Sequence, residues 1–139
     1  MIVFISCTKQ KQNRPCTAKI MYSTSAWFCG AYKYAKSLNP EHIYILSAKY
    51  GLLKEDTIIS PYERTLNSAK DAEIKEWSKM VAKQIEVEDV DTSQKAVFLC
   101  GRNYRKYVKN LFKEYEVPLE HLGIGKQLKF FNERERKPQ

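Results

Sequence analysis

Three short, nearly unbroken apolar runs constrain this chain more than any other feature: Ile2 to Ser6, Ile43 to Ser47 and Ala96 to Cys100. Each is rich in β-branched and aromatic residues. A run without polar alternation suits a strand covered on both faces of a parallel sheet better than a half-exposed antiparallel one. A fourth, weaker run covers Val117 to Leu122. Helical patterns lie between them. Trp27, Ala31, Tyr34, Ala35 and Leu38 follow helical spacing, opened by Ser23-Thr24-Ser25 and closed before Pro40. Ile74, Trp77, Val81 and Ile85 make a second stripe, with Ser68 and Asp71 spaced as a capping-box-like start. Tyr104, Val108, Leu111, Phe112 and Tyr115 make a third, capped by Asn103, and Lys126 to Phe131 fit a short last helix. This alternation predicts an α/β fold: a single three-layer domain with a mainly parallel sheet flanked by helices and right-handed crossovers.

With 139 residues the chain has room for one core, expected over residues 1–132, followed by a charged, frayed tail at 133–139. The 43% apolar content with 5 Gly and 5 Pro excludes a disordered or low-complexity chain. No run approaches the ~18–20 apolar residues of a spanning helix, so no membrane partner is expected. Lys9, Lys11 and Arg14 follow the first apolar run instead of preceding it, which argues against a secretory signal and for a cytoplasmic protein. Cysteines at 7, 16, 29 and 100 match neither a metal hook nor a dense disulfide scaffold. Free thiols, no metal and no cofactor are expected. The sequence says nothing of oligomeric state.

The formal charge is +8 and is unevenly spread. Residues 1–60 carry 8 basic and 3 acidic groups, residues 61–99 carry 6 and 8, and residues 100–139 carry 10 and 5. If the two basic ends meet in the fold they make one basic face, suited to a polyanion; the alternative is a coat of solvated lysines. Ligands of open parallel sheets bind beyond the carboxyl ends of the strands, where loops and helix N-termini gather. Those ends read Ser6-Cys7-Thr8-Lys9-Gln10-Lys11, Ser47-Ala48-Lys49-Tyr50-Gly51, Cys100-Gly101-Arg102-Asn103-Tyr104 and Gly123-Ile124-Gly125-Lys126. Each joins small or hydroxyl residues to a cation, as a phosphate- or carboxylate-binding crevice requires. The alternative is that the small residues merely fit beneath a helix. Gly123 to Lys126 is too short for a P-loop, so nucleotide hydrolysis by that motif is excluded.

The segment Ile45-Leu46-Ser47-Ala48-Lys49-Tyr50-Gly51-Leu52-Leu53, with Asp56, Ile59, Pro61-Tyr62 and Arg64 after it, resembles the signature of the YaaA family of peroxide-stress proteins. Ser6 with Lys9, and Val97 to Tyr104, are similar to further parts of that pattern. Ser6 to Lys11 and Pro15-Cys16 with Tyr22 resemble the small YaaA-like proteins of bacteria and their phages. The resemblance implies an α/β fold and a link to DNA; related domains occur among nucleobase-modifying enzymes.

The expected ligand is therefore a nucleotide, nucleobase or nucleic acid. Ser6, Thr8, Lys9, Lys11, Ser47, Gly51, Asp56, Tyr62, Arg64, Gly101, Arg102, Tyr104 and Lys126 are the expected binding residues. Gly51 allows a sharp turn, Tyr62 stacks on a base or closes a pocket, and Arg64 offers a planar fork, with Asp56 orienting Arg64 or Lys49. The competing reading makes Tyr50 and Tyr62 loop anchors and Asp56 a turn residue. An enzyme on the same ligand is the alternative function, with Cys7, Lys49 and Tyr50 as its catalytic candidates; neighbouring cations promote the Cys7 thiolate. His42 lies at the wrong end of the sheet to pair with Cys7, so only His121 is left as an imidazole partner. A phage-type interaction protein is a third reading, for which the sequence carries no mark.

Overall fold

The computed structural model describes residues 1–136. In chain order it forms strand β1 (Ile2–Ser6), strand β2 (Cys16–Thr17), helix α1 (Ala18–Met21), helix α2 (Ala26–Ser37), and strands β3 (His42–Ser47), β4 (Gly51–Lys54) and β5 (Ile58–Ile59). Helix α3 (Asp71–Val87), strand β6 (Lys95–Leu99), helix α4 (Arg102–Arg105), a 3-10 turn (Val108–Leu111), strand β7 (Glu114–Glu116) and helix α5 (Ile124–Arg136) complete it. The tail expected at 133–139 continues α5 as far as Arg136; the rest of it lies outside the described residues.

The protein is an α/β domain with a five-stranded sheet in the order β4-β3-β1-β6-β7. β1, β3, β6 and β7 run parallel, and only β4 is antiparallel, folded back on β3. Every residue of β1 is buried, and successive strand side chains point to opposite faces, so both faces are covered. From β1 the chain moves one way to β3, then back across β1 to β6. Right-handed crossovers in opposite directions put α2 on one face and α3 on the other. α5 joins α2 on its face: Trp27 Nε1 donates to Gln127 at 2.8 Å, and the Phe131 ring lies against Gly30. On the other side Phe4 stacks on Phe98 at 5.0 Å and meets the edge of Phe112 at 5.3 Å. A two-stranded antiparallel sheet, β2 with β5, closes one flank.

The three long strands and helices α2 and α3 fall where the patterns place them. Ser25 caps α2, its hydroxyl accepting the Phe28 N–H at 3.2 Å. Other expectations are corrected. Val117 to Leu122 is not a strand; the fourth parallel strand is Glu114–Glu116, and Pro118, with no N–H to give a ladder, lies in the turn that follows. The stripe from Tyr104 to Tyr115 is not one helix. Backbone bonds switch to the tighter i to i+3 pattern at Asn110 and Phe112, so that Phe112 reaches the sheet and Glu114 pairs with Lys95. α3 has Lys70 and not Ser68 at its cap, and Asn103 donates to the Leu66 carbonyl at 2.7 Å instead of capping a helix. Among the described residues no helix is long and apolar enough to cross a membrane, and all four cysteines are free.

Candidate functional site

Where the chain reverses its direction across the sheet, the loops after neighbouring strands diverge and leave a crevice at their carboxyl ends. Here that place lies between β1 and β6. Cys7 extends β1 by one residue, its N–H donating to Leu46 O at 2.9 Å. The Ser6 hydroxyl accepts the Gly101 N–H at 3.4 Å, and the Cys100 thiol donates to Phe4 O at 3.2 Å. Three strand ends are thereby locked together before any side chain reaches solvent.

Above them stands a cluster of hydroxyls around one thiol. Cys7, 9% exposed, hydrogen-bonds the Tyr104 hydroxyl at 3.5 Å, and its sulfur accepts the Ala48 N–H at 3.4 Å. The Tyr104 oxygen also accepts the Leu66 N–H at 3.1 Å. Ser47, fully buried, accepts the N–H groups of Lys49 and Tyr50 at 3.2 and 3.0 Å and donates to the Tyr62 hydroxyl at 2.8 Å. Tyr62 in turn shares a 2.8 Å bond with the buried Tyr22 hydroxyl. Burial pushes the phenols of Tyr22, Tyr62 and Tyr104 well above the usual tyrosine range, and the neighbouring Cys7 adds to the rise in each. They stay protonated, as donors. Trp77 fixes the floor by donating from Nε1 to the Ser47 carbonyl at 2.9 Å.

The segment from Tyr62 to Leu66 forms a strap over this cluster, tied at one end by the Tyr62 hydroxyl and at the other by Tyr104 and Asn103. Cations surround it. Lys11 lies 4.4 Å over the Tyr62 ring, and partial burial lowers its pKa against the opposing charges of Cys7 and Glu63. Lys49 stands over Tyr50 at 5.1 Å. Lys9, Arg64 and Arg102 are exposed. Gly51 takes φ +74°, and a Cβ there would collide with Gln84 and come within 2.8 Å of Met80. Gln84 holds this turn from both sides, accepting the Leu52 N–H at 2.8 Å and donating to Tyr50 O at 2.9 Å.

A protein-family model, DUF6884, described as a family of unknown function, matches residues 2–133. The chain belongs to DUF6884. No curated protein and no solved structure matches it. The DUF6884 match runs from β1 almost to the end of α5 and so contains every element of the crevice.

In this DUF6884 fold Ser6, Cys7, Lys11, Ser47, Tyr62, Gly101 and Tyr104 come together, with Gly51 shaping the turn beside them. Thr8 caps its own loop, donating to Gln10 O at 3.0 Å. Tyr50 anchors a loop, its hydroxyl donating to Ser60 O and accepting the Ser60 N–H, each at 3.3 Å. Lys49 contributes its N–H to Ser47, while its ammonium lies over the Tyr50 ring at 5.1 Å. Asp56 orients neither Arg64 nor Lys49. It pairs with Lys19 at 3.0 Å and lines a groove with His42 at the opposite end of β3. Lys126 is exposed at the start of α5, and no hydrogen bond or ring contact links it to the cluster. Sequence reasoning missed the part played by Tyr22, which stood only in the family-like pattern, and by the amides of Ala48 and Leu66, which carry no side-chain signal.

At the opposite end lies a groove of about 900 Å³. Its walls include Glu41, Glu55, Asp56, Glu88 and Asp89 against Lys36 and Lys54, and several of these pair with one another across it, as in Lys54 with Glu88 at 2.9 Å. Salt-bridged walls and an acidic excess suit a solvated surface more than an anion site. No group of residues with metal-ligand geometry occurs among the described residues.

Proposed function

We propose that this protein binds a nucleotide, nucleobase or nucleic acid in the basic crevice at the carboxyl ends of β1, β3 and β6. One observation carries the reading: five cations stand around the crevice, and none of them forms a salt bridge among the described residues. They are Lys9, Lys11, Lys49, Arg64 and Arg102, with Lys11 lying over the Tyr62 ring and Lys49 over the Tyr50 ring. Unneutralised cations held beside buried hydroxyls and half-buried tyrosines favour an anionic, aromatic ligand. The likeness of residues 45–64 to the YaaA signature supports the same ligand class and a link to DNA. Four free thiols agree with a reducing, cytoplasmic setting.

Fluorescence anisotropy with single-stranded DNA, duplex DNA and a labelled mononucleotide tests the reading. Affinity should fall at least tenfold for an oligonucleotide between about 50 and 200 mM salt, because bound cations release condensed counterions. Arg64→Ala and Lys49→Ala should weaken binding while leaving the melting temperature unchanged. A response flat in salt, or binding untouched by both substitutions, overturns it.

A further inference from the structure

We propose that the cavity around Arg105 is a binding site for a small oxyanion, a carboxylate or phosphate group, held by the Arg105 guanidinium. The cavity lies where the chain leaves β6 and β7, between Trp27 of α2 and Gln127 of α5, and has a volume of about 70 Å³. A water molecule takes about 30 Å³ of liquid, so the space suits a group of a few heavy atoms and not a whole nucleotide. Arg105 brings to it a polar group without a partner. Its side chain is 13% exposed, and its Nε is buried with no hydrogen-bond acceptor among the described residues. The other polar walls are committed to the protein. Trp27 Nε1 donates to Gln127 Oε1 at 2.8 Å, and the Gln127 amide donates to Leu119 O at 3.2 Å and Leu122 O at 2.9 Å. The Cys100 thiol donates to Phe4 O at 3.2 Å.

The charge of Arg105 is poorly met as well. Glu120, which also lines the cavity, sets its carboxylate 3.9 Å from Nη2, beyond hydrogen-bond distance, on a side chain 60% exposed. Such a pair contributes little. Burial pushes the Cys100 thiol well above its usual range, so it stays neutral and gives the guanidinium no countercharge. A buried donor on a charged group costs stability while it is unmet. Water in the cavity would accept from Nε but leave the charge uncompensated among the apolar walls of Trp27, Phe98 and Leu119. A carboxylate or phosphate supplies acceptor and charge together, and two of its oxygens match the planar fork of Nε and Nη2. The apolar walls strengthen that bond, and Glu120 opposes it by repelling the incoming anion. The site is separate from the binding crevice but borders it along the chain: Cys100 lines the cavity, and the next residue, Gly101, donates to the Ser6 hydroxyl.

The chain has two tryptophans, Trp27 on the cavity and Trp77 beneath the crevice, so their indole N–H signals in a nitrogen–proton correlation spectrum separate the two places. Titration with formate and with inorganic phosphate at constant ionic strength should shift the Trp27 signal saturably; chloride should not. Arg105→Gln should weaken that response about tenfold or more, the loss of a charge-assisted pair, and Glu120→Gln should tighten it about two- to fivefold by removing the repelling charge. The site is overturned if Trp27 does not respond, responds equally to chloride, or responds as before in a folded Arg105→Gln protein. If that variant fails to fold, the wild-type titration and Glu120→Gln decide. Movement of Trp77 alone assigns the anion to the crevice and overturns the cavity too. Adenosine monophosphate then separates the sources. A Trp27 shift like that of inorganic phosphate, absent with adenosine, makes the bound group a nucleotide's phosphate; a silent Trp27 leaves a free oxyanion. Failed oligonucleotide binding with an intact Trp27 response removes the nucleotide reading and keeps this site.

Discussion

Tyr62→Phe keeps the ring over the site but removes the one oxygen that both Ser47 and Tyr22 touch. Leaving two buried hydroxyls short of a partner should cost about 1–3 kcal/mol in urea unfolding, and Ser47→Ala should cost a similar amount because two amides lose their acceptor. A Tyr62→Phe protein as stable as the wild type would mean that water fills the gap, and the strap would then owe its position to Tyr104 and Asn103 alone. At this scale the sequence is informative where a residue directly follows a buried strand. Ser6, Cys7, Ser47 and Gly101 are legible because strand direction fixes where the next residue must be. Tyr62 and Tyr104 are legible through pattern and position together. Asp56 misleads because β4 runs back antiparallel along β3 and carries it to the far end of that strand, a displacement that no local spacing records. Lys126 misleads because the strand assumed before it is a turn.

At the scale of elements, α2 and α5 approach so closely at Gly30 that a Cβ there would lie 2.8 Å from the Phe131 Cβ. Gly30→Ala should therefore destabilise by about 1–3 kcal/mol through overpacking, and a shift of the denaturation midpoint at constant slope measures it. The joint between α3 and α4 responds to pH instead. Hydrogen bonds from Lys106, at 2.8 Å, and from Tyr107, at 2.6 Å, hold the Asp71 carboxyl down from 3.8 to about 2. A carboxyl lowered in the folded state stabilises above its unfolded pKa and loses that contribution as pH falls, here between about 4 and about 2. Thermal melting across that window should fall less steeply for Asp71→Asn than for the wild type; parallel curves would show that the joint contributes nothing. Ser68 points to the wrong cap of α3: the helix starts after Lys70 with no side-chain cap, and the Asp71 carboxyl goes to Lys106, Tyr107 and, one turn along its own helix, Lys75. The helix expected from Tyr104 onward also breaks. The apolar spacing is real, with Tyr104, Val108 and Phe112 all buried, but the backbone between them tightens so that Phe112 meets Phe4 and Phe98. Periodicity reports which residues are inside; it does not report which backbone bonds deliver them there.

Across the whole molecule, cations divide into two populations. Those on α1, α2, β4 and β6 are balanced by acids close by, while those beyond β1 and β3 are not. Of the basic N-terminal segment, Lys9, Lys11 and Lys49 thus stay without salt bridges beyond β1 and β3. Removing Lys9 and Arg64 together should flatten the salt dependence of oligonucleotide binding by about two counterions, read as the slope of log affinity against log salt. The parallel core was legible in the sequence because three uninterrupted apolar runs alternate with helical stripes; the order of its strands was not, since crossovers of either direction fit the same pattern. That order ends, on both sides, in strands unsuited to recruit another. β7 offers three exposed residues, two of them glutamates, and β4 has its neighbouring backbone groups occupied by Gln84. Acidic side chains at an edge discourage strand addition there, and at β4 Gln84 occupies the Leu52 N–H. Strand addition at β7 would set an incoming backbone beside Glu114 and Glu116.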